Sequence, residues 1–165
     1  MERCDACGFE YDLDRAPGAA DAVVTGSGEF AAILGDPGAD LTTRRRPEEW
    51  SPLEYGCHLR DVVLVQRERV LAARRTDTPV VEPMGRDERV EHDGYREQLP
   101  AAVARQLTDA AAMLANDLTR LGPADWERTL VYNYPVLRER SLRWLAVHTE
   151  HEVQHHLLDV RRQLA

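Results

Sequence analysis

Four of the six histidines in this chain fall close together near its C-terminal end, at His148, His151, His155 and His156. On an α-helix each residue turns about 100°, so positions three or four apart share a face. His148, His151 and His155 therefore share one stripe between Trp144 and Asp159, while His156 points about 100° away from His155. Neutral imidazoles four apart can close on one divalent ion, and histidine is the commonest metal ligand. The alternative is a helix face of hydrogen-bonded histidines, because a bare H-x-x-x-H recurs by accident. Two ligands do not make a site, so the chemistry depends on a third donor.

His58 is the first candidate. Ser51-Pro52-Leu53-Glu54 is a capping box with proline at the first helical position, and Trp50 and Tyr55 occupy the positions of a hydrophobic staple. The helix is expected from Pro52 to about Ala73, with Tyr55, Leu59, Val62, Val63 and Val70 inward and His58 in its second turn. His58 then lies about 9 Å from its helix start and His155 about 12 Å from the end of the last helix. Antiparallel packing would bring His58 level with His151 and His155. Three imidazoles from two helices would hold a metal and leave an open position, as catalytic zinc sites do.

Two further patterns bear on metal chemistry. His151-Glu152-Val153-Gln154-His155 is a literal H-E-x-x-H, the pattern of zinc proteases. Those enzymes take a third ligand downstream, where this chain offers only His156 and Asp159, so a peptidase is disfavoured. Hydrolysis by a metal-activated water, with Glu152 or His148 as base, stays open. At the other end, Cys4-Asp5-Ala6-Cys7-Gly8 has the shape of a metal-binding knuckle but is half a tetrahedral site. Cys57 and His156 face about 100° off His58 and His155, which makes them candidates to complete a second metal site. The rivals are a redox pair, which lacks its usual βαβ setting, and two reduced surface thiols.

These groups must be positioned by helices. Asp21–Leu34 has apolar residues at helical spacing but carries Gly26 and Gly28, each costing about 1 kcal/mol relative to alanine. Leu99, Val103, Leu107, Ala110, Leu114, Leu118 and Leu121 form a bundle-type seam that Gly122-Pro123 ends. The polar stretch Arg74–Gln98 is long enough to act as a lid or binding loop, with His92, Asp93, Tyr95 and Arg96 able to reach over a site. Val80-Val81 and Leu130-Val131 are too short to argue for a sheet. The pattern is all-α: a four-helix bundle with long crossovers, one domain over residues 1–165 with a short C-x-x-C segment at 1–15.

Composition excludes other classes. A net charge of −8 and a pI near 5.2 argue against nucleic acid and anionic membrane as partners. No run approaches the roughly 18 apolar residues of a membrane span, and the N-terminal stretch lacks the apolar core of a secretory signal. Three cysteines do not suggest a disulfide framework, and all 21 basic residues are arginine. A cytoplasmic protein acting on a small-molecule substrate is expected.

Trp50-Ser-Pro-Leu-Glu-Tyr-Gly-Cys-His58-Leu-Arg-Asp61, followed by His151-x-x-x-His155-His156-Leu157, resembles the DinB-like superfamily. That metalloprotein group includes mycothiol-dependent maleylpyruvate isomerase, and the resemblance covers the chain from about Ala20 onward. It implies a bundle in up-down-down-up order and a Zn²⁺ or Ni²⁺ site, carried over here to His58, His151 and His155. Many members resemble S-transferases that use mycothiol, bacillithiol or glutathione. The family pattern does not require Cys4 and Cys7, so that end carries something local.

Three neutral imidazoles leave the double charge of an ion uncompensated, and a thiol bound to such an ion is deprotonated. The leading expectation is a thiol S-transferase or isomerase that uses a low-molecular-weight thiol such as mycothiol. Arg60, Tyr95 and Arg96 are its candidate cofactor-binding residues. A metal-dependent hydrolase is the second reading. A metal-stabilised homodimeric module without turnover is the third.

Overall fold

The computed structural model describes residues 2–134 and 136–165. Its long helices are α1 (Ala19–Leu34), α2 (Pro52–Arg75), α4 (Pro100–Leu118) and α6 (Leu142–Leu164). Two short ones, α3 (Arg86–His92) and α5 (Pro123–Trp126), lie in the crossovers. The start of α2 follows its sequence signal. Ser51 Oγ accepts from the Glu54 N–H at 3.3 Å, and the Glu54 carboxylate accepts from the Ser51 N–H at 2.8 Å. The Trp50 and Tyr55 rings meet at 5.5 Å, as a staple requires. Ser141 caps α6 in the same way, accepting from the Trp144 N–H at 3.2 Å.

Cross-helix contacts fix the directions. Gly26 and Glu29 of α1 meet Val153 and Arg161 of α6, so these two run parallel. Trp50 and His58, at and in the first half of α2, meet Gln163 and His156 of α6, so these run antiparallel. Arg60 and Arg67 of α2 reach Gln106 and Asp117 of α4, which makes that pair parallel. The order is up-down-down-up. Helices α1 and α2 each pack against both α4 and α6, and Phe30, Leu53, Leu59, Leu107, Leu114 and Leu145 fill the space between them. The α4 seam is buried from Val103 to Leu118, but Leu99 is its N-terminal flank and stands exposed.

The two crossovers hold more structure than their sequences suggest. The first contains α3 and a 3₁₀ turn at Tyr95–Glu97, entered through Gly85 and Gly94 in the left-handed region (φ 65° and 56°). Tyr95 is fully buried and its hydroxyl donates to Asp61 at 2.6 Å, which pins this crossover to α2. The second crossover contains a hairpin of β1 (Thr129–Tyr132) and β2 (Arg138–Ser141), with Leu130 opposite Arg140. Val80 adds one parallel bridge to Val131. The short apolar pairs that looked too brief for a sheet therefore do pair, because each finds its partner in the other crossover or across the hairpin. Among the described residues no helix is long and apolar enough to cross a membrane.

Candidate metal centre

His58 is buried on α2 against the Trp50 ring at 5.0 Å and the His156 ring at 5.0 Å. Ligating atoms of His58, Glu152 and His156 all lie within 4.8 Å of one another. His58 Nδ1 is buried and has no hydrogen-bond partner among the described residues. A buried, unpaired imidazole nitrogen is costly unless something occupies it. Burial, and then the neighbouring His156, push the His58 imidazole down to about 3, so it is neutral at pH 7 and in its ligating form. His156 Nδ1 lies 3.1 Å from Asp159, which directs Nε2 toward Glu152 at 3.7 Å. Burial alone would lower His156; Asp159 and Glu152 outweigh it and hold the imidazole up at about 9. A divalent ion entering here would replace that proton between Glu152 and His156. The donor set, two imidazoles and one carboxylate from two helices, fits a divalent metal.

The expected trio of His58, His151 and His155 does not come together among the described residues. The reason is helical phase. The face of α6 that meets α2 carries Glu152, His156 and Asp159, while His148, His151 and His155 lie round the helix toward the N-terminal segment. There Cys4, Cys7, His151 and His155 also place their ligating atoms within 4.8 Å of one another. The knuckle is closed by Gly8 at φ 78°, whose N–H donates to the Cys4 carbonyl at 2.8 Å, and by the Cys4 N–H donating to Phe9 at 2.9 Å. Burial raises the Cys4 thiol, but the Cys7 backbone N–H and the His151 imidazole outweigh it and bring it down to about 6. Cys57, expected as a partner of this pair, belongs to neither group. It is buried beneath the first crossover, its thiol 3.9 Å from the Tyr95 carbonyl, and burial pushes it up to about 12. His156, the other expected partner, faces His58 instead.

Glu152 sits at the centre of the histidines rather than beside them. Its Oε1 is 3.4 Å from His151 Nδ1 and 3.9 Å from His148 Nε2, and its Oε2 faces His156. Its carboxylate is thus shared among three imidazoles. His148 is buried, and burial brings its imidazole down to about 4. Tyr11, which sequence reasoning passed over, places its hydroxyl 2.9 Å from the Nδ1 atoms of both His148 and His151. The three side chains expected to hold a cofactor are engaged in packing the first crossover. Arg60 bonds Asp61, Gln98 and Gln106, Tyr95 bonds Asp61, and Arg96 pairs with Glu54.

A cavity of about 530 Å³ opens beyond Tyr55 and Asp159, both in contact with His156. Arg45, Arg46 and Arg162 line it together with the carboxylates of Glu49 and Asp159, Arg46 being paired with Glu49, and none of the three donors does so directly. Arg86, whose guanidinium lies 5.5 Å from the Trp50 ring, adds positive charge near His58 and Glu152.

The bundle thus brings two histidines and a carboxylate together between antiparallel helices as a candidate metal centre. The sequence profile of the DinB superfamily matches residues 14–160, and the chain belongs to that superfamily. Among solved structures it is similar to YfiT from Bacillus subtilis, described as a probable metal-dependent hydrolase with an unusual four-helix bundle topology. The TM-score is 0.75 at 15% identity, over 99% of this chain and 93% of the other. The comparison with curated proteins returns no match.

Proposed function

We propose that this protein is a metal-dependent hydrolase of small-molecule substrates, with His58, Glu152 and His156 as the metal-holding residues. The observation that carries this reading is the donor set: two imidazoles and one carboxylate, the combination that thermolysin-type hydrolytic zinc sites use. An ion held there supplies Lewis acidity, which polarises a substrate oxygen and makes an attacking water more acidic. The chain's own residues do the rest. Asp159 sets the tautomer of His156, as outer carboxylates do for ligating histidines. Burial of His58 keeps it neutral, and the adjoining cavity offers a substrate charged groups of both signs, Arg45, Arg46 and Arg162 beside Glu49 and Asp159. The similarity to YfiT agrees with hydrolysis.

Transfer of a thiol such as mycothiol was the stronger expectation while three neutral imidazoles were the premise. A carboxylate in the set compensates one charge and weakens that premise. The experiment is a panel of small carboxylate and phosphate esters offered to Zn²⁺- or Ni²⁺-loaded and chelator-treated protein, each with and without added thiol. Hydrolysis that needs metal but no thiol, and that His58→Ala abolishes, is expected. Turnover that appears only with a low-molecular-weight thiol would replace this reading with the S-transferase.

A further inference from the structure

We propose that Cys4, Cys7, His151 and His155 bind a second divalent ion, a zinc ion with a structural role. Nothing in the superfamily match or in the similarity to YfiT assigns such a site. Two thiols and two imidazoles are the donor set of closed tetrahedral zinc sites, with bonds of about 2.3 Å to sulfur and 2.0–2.1 Å to nitrogen. Tetrahedral geometry then puts neighbouring donors about 3.3–3.8 Å apart. Cys4 Sγ already lies 3.7 Å from His155 Nδ1, and all four donor atoms lie within 4.8 Å of one another. Closing on an ion needs shifts of about 1 Å at most.

Independent features point the same way. His151 Nε2 is buried and has no hydrogen-bond partner among the described residues. The other nitrogen of each histidine is held by an outer group, the arrangement that fixes ligand tautomers at metal sites. His151 Nδ1 lies 2.9 Å from the Tyr11 hydroxyl, and His155 Nε2 lies 3.4 Å from Asp159. If His151 Nδ1–H donates to Tyr11, the tyrosine proton goes to His148 Nδ1, and all three groups are satisfied at once. Phe9 packs its ring on His151 at 5.3 Å, and Arg15 pairs with Glu150 on the same side of α6. All four ligand positions come from protein, so no coordination position remains for substrate. The ion would clamp the N-terminal knuckle onto α6, the two thiols releasing their protons as it binds.

The test uses the full-length protein loaded with Zn²⁺ under reducing conditions. X-ray absorption should show sulfur in the zinc shell. An organomercurial that blocks the two accessible thiols of the native protein should release one zinc per chain, read with a colorimetric zinc indicator. The Cys4→Ser/Cys7→Ser variant should bind one zinc fewer than the parent and keep the ion that His58→Ala removes. A zinc shell of nitrogen and oxygen alone, or two thiols blocked with no zinc released, would overturn the proposal. The mercurial measurement decides the matter even if the double variant fails to fold.

Discussion

The two faces of α6 carry the same residue types and are closed in different ways. Toward α2, Glu152 and His156 meet a buried histidine from a second long helix, and a cavity lined by charged residues of both signs begins beyond Asp159. Toward the N-terminus, His151 and His155 meet two cysteines on a short knuckle, under Phe9 and Tyr11. One face has three donors near a cavity, and the other has four donors and a cover. A single helix thus separates a candidate reactive centre from a candidate clamp by about one residue of rotation, 100°. Asp159 touches both, lying within 3.4 Å of His155 and 3.1 Å of His156.

The largest effect should come from Glu152→Gln. An amide is a neutral and weaker donor than a carboxylate, so affinity for the ion at the α2 face should fall by at least about 100-fold. Turnover should fall with it and recover in part at high metal concentration. Isothermal titration beside a rate assay checks this. Loss of rate with unchanged metal affinity would return Glu152 to the role of base.

The α2 face also depends on how its helix begins. Burial alone would raise the Glu54 carboxyl, but Arg44, the Ser51 N–H and Arg96 outweigh it and hold it at about 2. Its folded value lies below its unfolded one, so the stability it contributes is present above about pH 4.5 and is lost as pH falls toward 2. At neutral pH Glu54→Gln should cost about 3 kcal/mol, and at pH 2 the two proteins should converge. Denaturant melts at the two pH values read the difference.

Asp159→Asn should weaken ion binding at both faces, by about 10–100-fold at each, while Tyr11→Phe should weaken the cysteine face alone. Competition with a chelator of known affinity separates the two. Equal loss at both sites in Tyr11→Phe would contradict the division between them.

The smallest effects concern packing behind the two faces. A Cβ at Gly26 would lie 2.5 Å from Val153 Cγ1, next to Glu152, whereas one at Gly28 meets nothing within 4 Å. Gly28→Ala should therefore stabilise the protein by about 1 kcal/mol, and Gly26→Ala should destabilise it by about 1–3 kcal/mol. Thermal melts of the two variants should move in opposite directions. The glycines that read alike as helix weaknesses are unlike in space, and only the path of α6 shows which one it needs.

That pair illustrates how far the sequence could be read. Local signals stood out: the Ser51–Glu54 capping box, the α4 seam and the histidine helix all appear where their residues put them. The order of the bundle followed from the superfamily resemblance. Helical phase between α2 and α6 was not legible, because antiparallel packing fixes height along the axis and leaves rotation free. His58 was therefore expected opposite His151 and His155, and in the fold it faces Glu152 and His156. A usable signal was present: Glu152 and His156 are also four apart, with Asp159 three further on to orient His156. The destination of the Cys4–Cys7 knuckle was hidden for a different reason, since a contact spanning more than 140 residues leaves no local trace. Tyr11 was missed on the same ground.

The central claim is that α6 holds two separate sets of ligands. Crystals of the Zn²⁺-loaded protein, measured on both sides of the zinc absorption edge, test it most directly. Two anomalous peaks per chain are expected, one among His58, Glu152 and His156 and one among Cys4, Cys7, His151 and His155. A single peak shared by His58, His151 and His155 would contradict it.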